Sequence, residues 1–341
     1  MDPRFAPKTL DVSPPPYADA PPAYDHDSKS MMAKLDTMPA EIKSEAKELY
    51  REIKKVGLEN HEARVCMVLD ISVSMQHKEH NQFFFGADEK FENGKVQRLI
   101  NSSVALALLF DNDGEVEVHP FAGTAYPPVI INRDNFTYAA RLVWEATRGV
   151  HGSTNYAAPV QAVRAHYFKD AGERTTPLSI KEAPVFSLFI TDGDPNMDKT
   201  GGRNQFQWAS HLPIFFKFLA LRGNQQDAEF SFLKDIDDPA NKSKFFIDNA
   251  DLVILNQPED LTMQQLIHEY RGWLMHAHRL GLIGDPKVRA EIGIHSEGRI
   301  IATPSVATTL GTTFAPVVPP RPTAPAPGLP AKADSACCRI S

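Results

Sequence analysis

Asp70, Ser72 and Ser74 stand at alternate positions where the apolar run Val65 to Leu69 gives out. One carboxylate and two hydroxyls form an all-oxygen set, which suits a hard cation such as Mg2+ that keeps several of its waters. Two other stretches carry oxygen side chains among turn-forming residues. Thr154 lies in His151-Gly152-Ser153-Thr154-Asn155, and Asp192 opens Asp192-Gly193-Asp194-Pro195. Asp194 reads as a turn residue, and His119, His151 and His166 read as structural or surface groups. Asp70, Ser72 and Ser74 are the candidate metal ligands, with Thr154 and Asp192 as further oxygens on two other loops, and Mg2+ is the expected ion with Mn2+ the alternative.

These oxygens depend on strands to bring them together. Arg64 to Asp70 is a continuous apolar run of the kind that forms a buried parallel strand. Pro184 to Thr191 and Pro213 to Leu221 read the same way, Glu115 to Phe121 alternates, and Phe245 to Leu255 gives a last strand or pair of strands. Spacings of three and four predict helices over Thr37–Val56, Val96–Phe110, Arg133–Thr147, Tyr156–Tyr167 and Asp227–Asp235. A long amphipathic helix is expected over Asp260–Leu280, and the 37–56 helix is expected to pack on the sheet or cover its edge. Asp111-Asn112-Asp113-Gly114 is a turn, lacking the other ligands of a calcium loop. Strands alternating with helices imply an α/β fold, Rossmann-like and doubly wound, with a mostly parallel sheet and helices on both faces. Ligands of such sheets bind beyond the carboxyl ends of the strands, which is where Asp70 and Asp192 fall.

The pattern D-x-S-x-S, then a distant Thr and a distant Asp, resembles the metal-ion-dependent adhesion site of von Willebrand factor A (VWA) domains. The stretches MVLDISVSM, FENGKVQRLINSSVALALLFDNDGEVEVHPF, GSTNYAAPV, LFITDGDP, FLKDIDD and FIDNADLV narrow the likeness to the A domains of tellurium-resistance gene clusters, over roughly residues 58–282. That resemblance implies a VWA fold with Ser72, Ser74 and Thr154 as direct ligands and Asp70 and Asp192 direct or acting through water. Neutral hydroxyls leave the cation electrophilic enough to accept a carboxylate from a protein partner. The rival reading is a Mg2+-dependent phosphohydrolase with Asp70 as nucleophile, as in haloacid-dehalogenase phosphatases. Those need a second acid two residues on, where this chain has Ser72. No Walker loop or G-x-G-x-x-G follows a strand, so nucleotide turnover has no cradle. A third reading is a soluble stress-response scaffold with inert tails.

A net charge of −7 and a pI near 6.0 argue against nucleic acid as a partner. No leader-like segment opens the chain and no apolar stretch reaches about 18 residues, which predicts a cytoplasmic protein. Cys66 reads as a small buried hydrophobe within a strand, and no disulfide framework is expected. Residues 1–33 form a proline-rich arm with no means of building a core, and 37–57 a helix packed on the domain at 58–282. The arm holds Pro14-Pro15-Pro16-Tyr17 and Pro21-Pro22-Ala23-Tyr24, two P-P-x-Y motifs that resemble ligands of WW domains, including those of ubiquitin ligases. Residues 300–341 form a Pro/Ala-rich tail ending in Cys338-Arg339-Ile340-Ser341, a C-a-a-X pattern in which Cys338 would be prenylated. One prenyl chain binds membranes only marginally, so Cys337 is the candidate second anchor, by palmitoylation. The combined expectation is a non-enzymatic, Mg2+-dependent adaptor at the cytoplasmic face of a membrane, gripping an acidic residue of its partner and recruiting WW-domain proteins.

Overall fold

The computed structural model describes residues 31–76, 94–111, 113–147, 152–222 and 230–284. The described strands are β1 Arg64–Asp70, β2 Val116–Phe121, β3 Val129–Ile131, β4 Val185–Thr191, β5 Ile214–Leu221 and β6 Ala250–Leu255. They form one sheet in the order β3-β2-β1-β4-β5-β6, parallel throughout except that β3 runs antiparallel to β2. The helices are α1 Met31–Asp36, α2 Ala40–Lys55, α3 Val73–Gln76, α4 Lys95–Phe110, α5 Ala139–Thr147, α6 Ala157–Phe168, α7 Lys199–Ala209, α8 Ser231–Asp237, α9 Met263–Ile267 and α10 Tyr270–Arg279.

Successive strand side chains point to opposite faces, so each central strand feeds two cores. On β1, Val65, Met67 and Leu69 join the core shared with α2, α4, α5, α9 and α10, while Cys66 and Val68 join the one shared with α6, α7 and α8. The unbroken apolar runs in the sequence are the signature of this double burial. Cys66 is fully buried, and burial pushes its thiol up to about 12, which makes it an unreactive core residue. The doubly wound, mostly parallel sheet with helices on both faces is the expected fold class.

Several elements depart from expectation. Met31 and Leu35, one turn apart, are buried, so α1 occupies residues whose beginning was assigned to the coreless arm. Lys34 of α1 donates from Nζ to the carbonyls of Asp111 at 2.9 Å and Leu109 at 3.2 Å, fastening the helix to the end of α4. Ile42, Ala46, Leu49 and Ile53 line the buried stripe of α2, which packs mainly on α4 and α9, while α4 lies against β1. Residues 136–138 are a 3-10 turn and α5 starts only at Ala139. The edge strand β3 is too short for its alternation to be read. Helix α7, KTGGRNQFQWA, was hidden by two glycines; Gly202 faces Phe232 of α8, and a Cβ there would sit 3.3 Å from its ring. The helix expected over 260–280 is two: α9 is closed at its start by a Thr262–Gln265 capping box, and Glu269, with φ of 62°, breaks the chain before α10. At the far end Pro239–Lys244 forms a 3-10 turn and β6 begins only at Ala250. Beyond α10, Ile283 bridges to Ile180, and the Gly284 amide donates to the Ile180 carbonyl at 2.8 Å, just ahead of β4.

Lys217 of β5 and Asp251 of β6 are neighbours in register and form a buried ion pair, with His268 Nδ1 3.3 Å from the same carboxylate. Asp237 lies near this group, and burial, followed by the charges of Asp251, Glu269 and Asp248, pushes its carboxyl from the ordinary 3.8 up to about 7. The unfolded chain releases that proton at the lower value, so the favourable contribution is complete below about pH 4 and lost as the pH rises through about 7. Asp237→Asn, neutral throughout, is expected to show a smaller fall in Tm than the parent between those limits, measured by calorimetry. Leu49→Ala, which empties a fully buried site between α2, α4 and α9, is expected to cost about 2–5 kcal/mol in urea unfolding followed by circular dichroism.

Candidate metal centre

Strand order places a break in winding between β1 and β4, since the chain proceeds from β1 to β2 and β3 on one side and from β4 to β5 and β6 on the other. A crevice opens at the carboxyl ends of the strands at such a point. Asp70 is the last residue of β1 and Asp192 follows the last residue of β4, so both reach that crevice. The chain turns at once after Asp70: Ser72 N donates to Asp70 Oδ1 at 2.8 Å, and α3 begins at Val73. That turn sets the two serine hydroxyls 3.0 Å apart, and Ser74 Oγ donates to Asp192 Oδ1 at 2.7 Å. Asp70, Ser72, Ser74 and Asp192 are therefore one connected group of oxygens.

Thr154 arrives on a third segment. Its amide accepts no competition from strand pairing: it donates to Asn196 Oδ1 at 2.9 Å, and its carbonyl accepts from the amides of Asn196 and Met197 at 3.1 and 3.2 Å. The next residue, Asn155, donates from its amide to the Ala122 carbonyl at 2.9 Å, while the Ile71 amide donates to the Phe121 carbonyl at 2.8 Å. The loops after β1, β2 and β4 and the entry to α6 are thus stitched to one another. Thr154 is 7% exposed, and its hydroxyl is not engaged by any described residue.

Asp70 is fully buried. Burial pushes its carboxyl up to about 7, the facing charge of Asp192 adds to the effect, and hydrogen bonds from Thr191 and Ser72 oppose it. Two buried carboxylates that repel one another, with the hydroxyls of Ser72 and Ser74 beside them, fit a divalent cation. The donor set is oxygen alone, which matches Mg2+ or Mn2+ and disfavours the softer transition metals.

Other candidates lie elsewhere. Asp194 is more than a turn residue: its carboxylate accepts from Ser231 Oγ and the Phe232 amide, joining the loop after β4 to α8. An open cleft of about 340 Å³ lined by Lys199, Thr200, Arg203, Ser231, Phe232 and Asp235 shares no residue with the oxygen cluster. Asp251, His268 and Glu269 come together in a way that strand reading missed, but the Asp251 carboxylate is already engaged by Lys217 and His268. His119 is buried with neither ring nitrogen bonded, and His166 pairs with Glu117. Sequence reasoning also passed over Thr191, Tyr156 and Asn196, which hydrogen-bond to Asp70, Thr191 and Thr154 respectively. Only Thr191 left a trace, as a polar residue closing a largely apolar strand. The P-P-x-Y residues Pro14, Pro15, Tyr17, Pro21, Pro22 and Tyr24, together with His151, Cys337 and Cys338, lie outside the described residues.

A protein of Bacillus subtilis strain 168, the uncharacterised YcbR, is 24% identical to this chain over 244 residues, covering 70% of the chain and 88% of that protein. Among solved structures, a von Willebrand factor type A protein from Catenulispora acidiphila matches with a TM-score of 0.39 and 16% identity, across 62% of this chain and 42% of that one. The chain thus spans less than half the length of that structure. The SpRpn10 VWA domain matches with a TM-score of 0.34 and 15% identity, across 61% of this chain and 94% of that one. A family model described as the vWA found in the TerF C terminus covers residues 62–283, from just before β1 to just past α10, and the chain belongs to this vWA-TerF-like family.

Proposed function

We propose that the chain is a non-enzymatic adaptor whose VWA domain grips a protein partner through a Mg2+ ion. VWA domains typically mediate protein interaction, and the chain carries one. The observation that carries the finer reading is the linked cluster of Asp70, Ser72, Ser74 and Asp192 at the strand ends, with Thr154 brought to the same loops. When bound, the ion would supply a Lewis-acidic centre for an acidic side chain of the partner. Ser72, Ser74 and Thr154 would hold it as neutral donors, and the two aspartates would balance its charge. The phosphohydrolase alternative is disfavoured because both oxygens of Asp70 accept hydrogen bonds and the residue is sealed from solvent. The P-P-x-Y pair and Cys337-Cys338 extend the proposal outward: the arm offers WW-domain proteins a docking peptide, and the lipidated tail holds the adaptor at a membrane. None of the described helices is long and apolar enough to cross one.

Replacing both Ser72 and Ser74 by Ala is expected to weaken Mn2+ binding, measured by calorimetry, beyond the roughly 10–100-fold typical of outer-sphere changes. The same variant should lose Mg2+-dependent, chelator-sensitive capture of partners. Unchanged capture would sink the adaptor reading, as would turnover of generic phosphate esters that vanishes in Asp70→Asn. In cell fractionation Cys338→Ser is expected to move the protein from the membrane pellet to the supernatant; a parent chain that never pellets would remove the tether.

A further inference from the structure

Behind the ligand oxygens lies a second row of hydroxyls. Thr191 closes β4, immediately before Asp192, and is fully buried; its Oγ1 donates to Asp70 Oδ2 at 2.7 Å. A second acceptor, the Gly193 carbonyl, stands at 3.2 Å, but a carboxylate is the stronger and here the nearer partner. Tyr156, two residues after Thr154, is also fully buried, and its hydroxyl lies 3.0 Å from Thr191 Oγ1 and in hydrogen-bond contact with the Gly193 carbonyl. A phenol has one proton, which those two acceptors share in a three-centre bond. The row runs from the Thr154 segment through the β4 exit to Asp70, and so touches each of the three segments that supply the oxygens.

We propose that Thr191, buttressed by Tyr156, is the positioning residue of the metal site. It fixes Asp70 Oδ2 while the Ser72 amide fixes Oδ1, so the carboxylate has one orientation before any cation arrives. A free Asp at a strand end has two χ angles to lose on binding; this one has already lost them. The side chain around Thr191 gives the arrangement its specificity. Tyr156 packs edge-on against Phe189 and Phe232 with centroids 5.0 and 5.6 Å away, so its hydroxyl cannot swing aside without breaking the core under α6. Neither hydroxyl touches the site from the solvent side, which distinguishes them from ligands.

The inference rests on the metal reading above and is tested with the full chain and Mn2+ alone. Thr191→Val keeps the shape and removes the hydroxyl; Thr191→Ser keeps the hydroxyl and removes a methyl. If Thr191 positions Asp70, Val weakens the Mn2+ Kd by about 10–100-fold, while Ser stays within about threefold despite a lower Tm without metal. Tyr156→Phe, one bond further back, weakens binding in the same direction by less. A merely structural role predicts the reverse order, with affinity following Tm. Parent-like affinity in Thr191→Val, or equal losses in Val and Ser, overturns the inference while leaving the metal site standing. Failure of the parent chain to bind Mn2+ overturns the metal reading itself. Should Thr191→Val not fold, Tyr156→Phe decides the question, with unchanged affinity counting against the relay.

Discussion

Two like charges placed side by side in a buried crevice are the constraint around which this domain is arranged. Asp70 and Asp192 come from adjacent parallel strands, β1 and β4, and the charge of Asp192 bears on Asp70. Burial and mutual repulsion push Asp70 up to about 7, and the protein offsets part of that cost with donors from Ser72 and Thr191. Such an arrangement is expensive unless something positive completes it. The hydroxyls of Ser72 and Ser74 are close enough to both acids to share a cation and carry no charge of their own to quench it.

The β1 and β4 strands, the direction of the sheet and the oxygen-bearing residues at their ends were legible because two-sided burial writes a continuous apolar run and a polar residue ends it. The same signal failed for β3, with three residues, and for α7, whose glycines serve contact with Phe232 and disguise a helix as a loop. The break at Glu269 was invisible because the flanking sequence keeps its helical period while one residue adopts a left-handed backbone. Thr191 and Tyr156 were missed for another reason. Their roles depend on which loops meet in space, and neither lies within a motif spacing that would signal it.

The architecture separates tasks between the two cores. The α6, α7 and α8 side is rich in phenylalanine packed edge to face around Phe189, Phe206, Phe216 and Phe218, which gives the site a stiff floor. The other side carries the helices α1 and α2, which lie outside the segment matched by the family model. Helix α2 packs on α4 and α9, and α1 packs on α4 and α2.

Lys34 grips the end of α4 beside the start of β1, and Gly284 is held at Ile180, just before β4. The described chain therefore begins and ends at the amino ends of the strands, whereas Asp70 and Asp192 sit at the carboxyl ends, a strand length of roughly 20 Å away. A pull applied between Gly284 and the Asp70–Asp192 end of the sheet would run along β1 and β4, loading whole ladders of hydrogen bonds in shear instead of peeling one edge of the sheet.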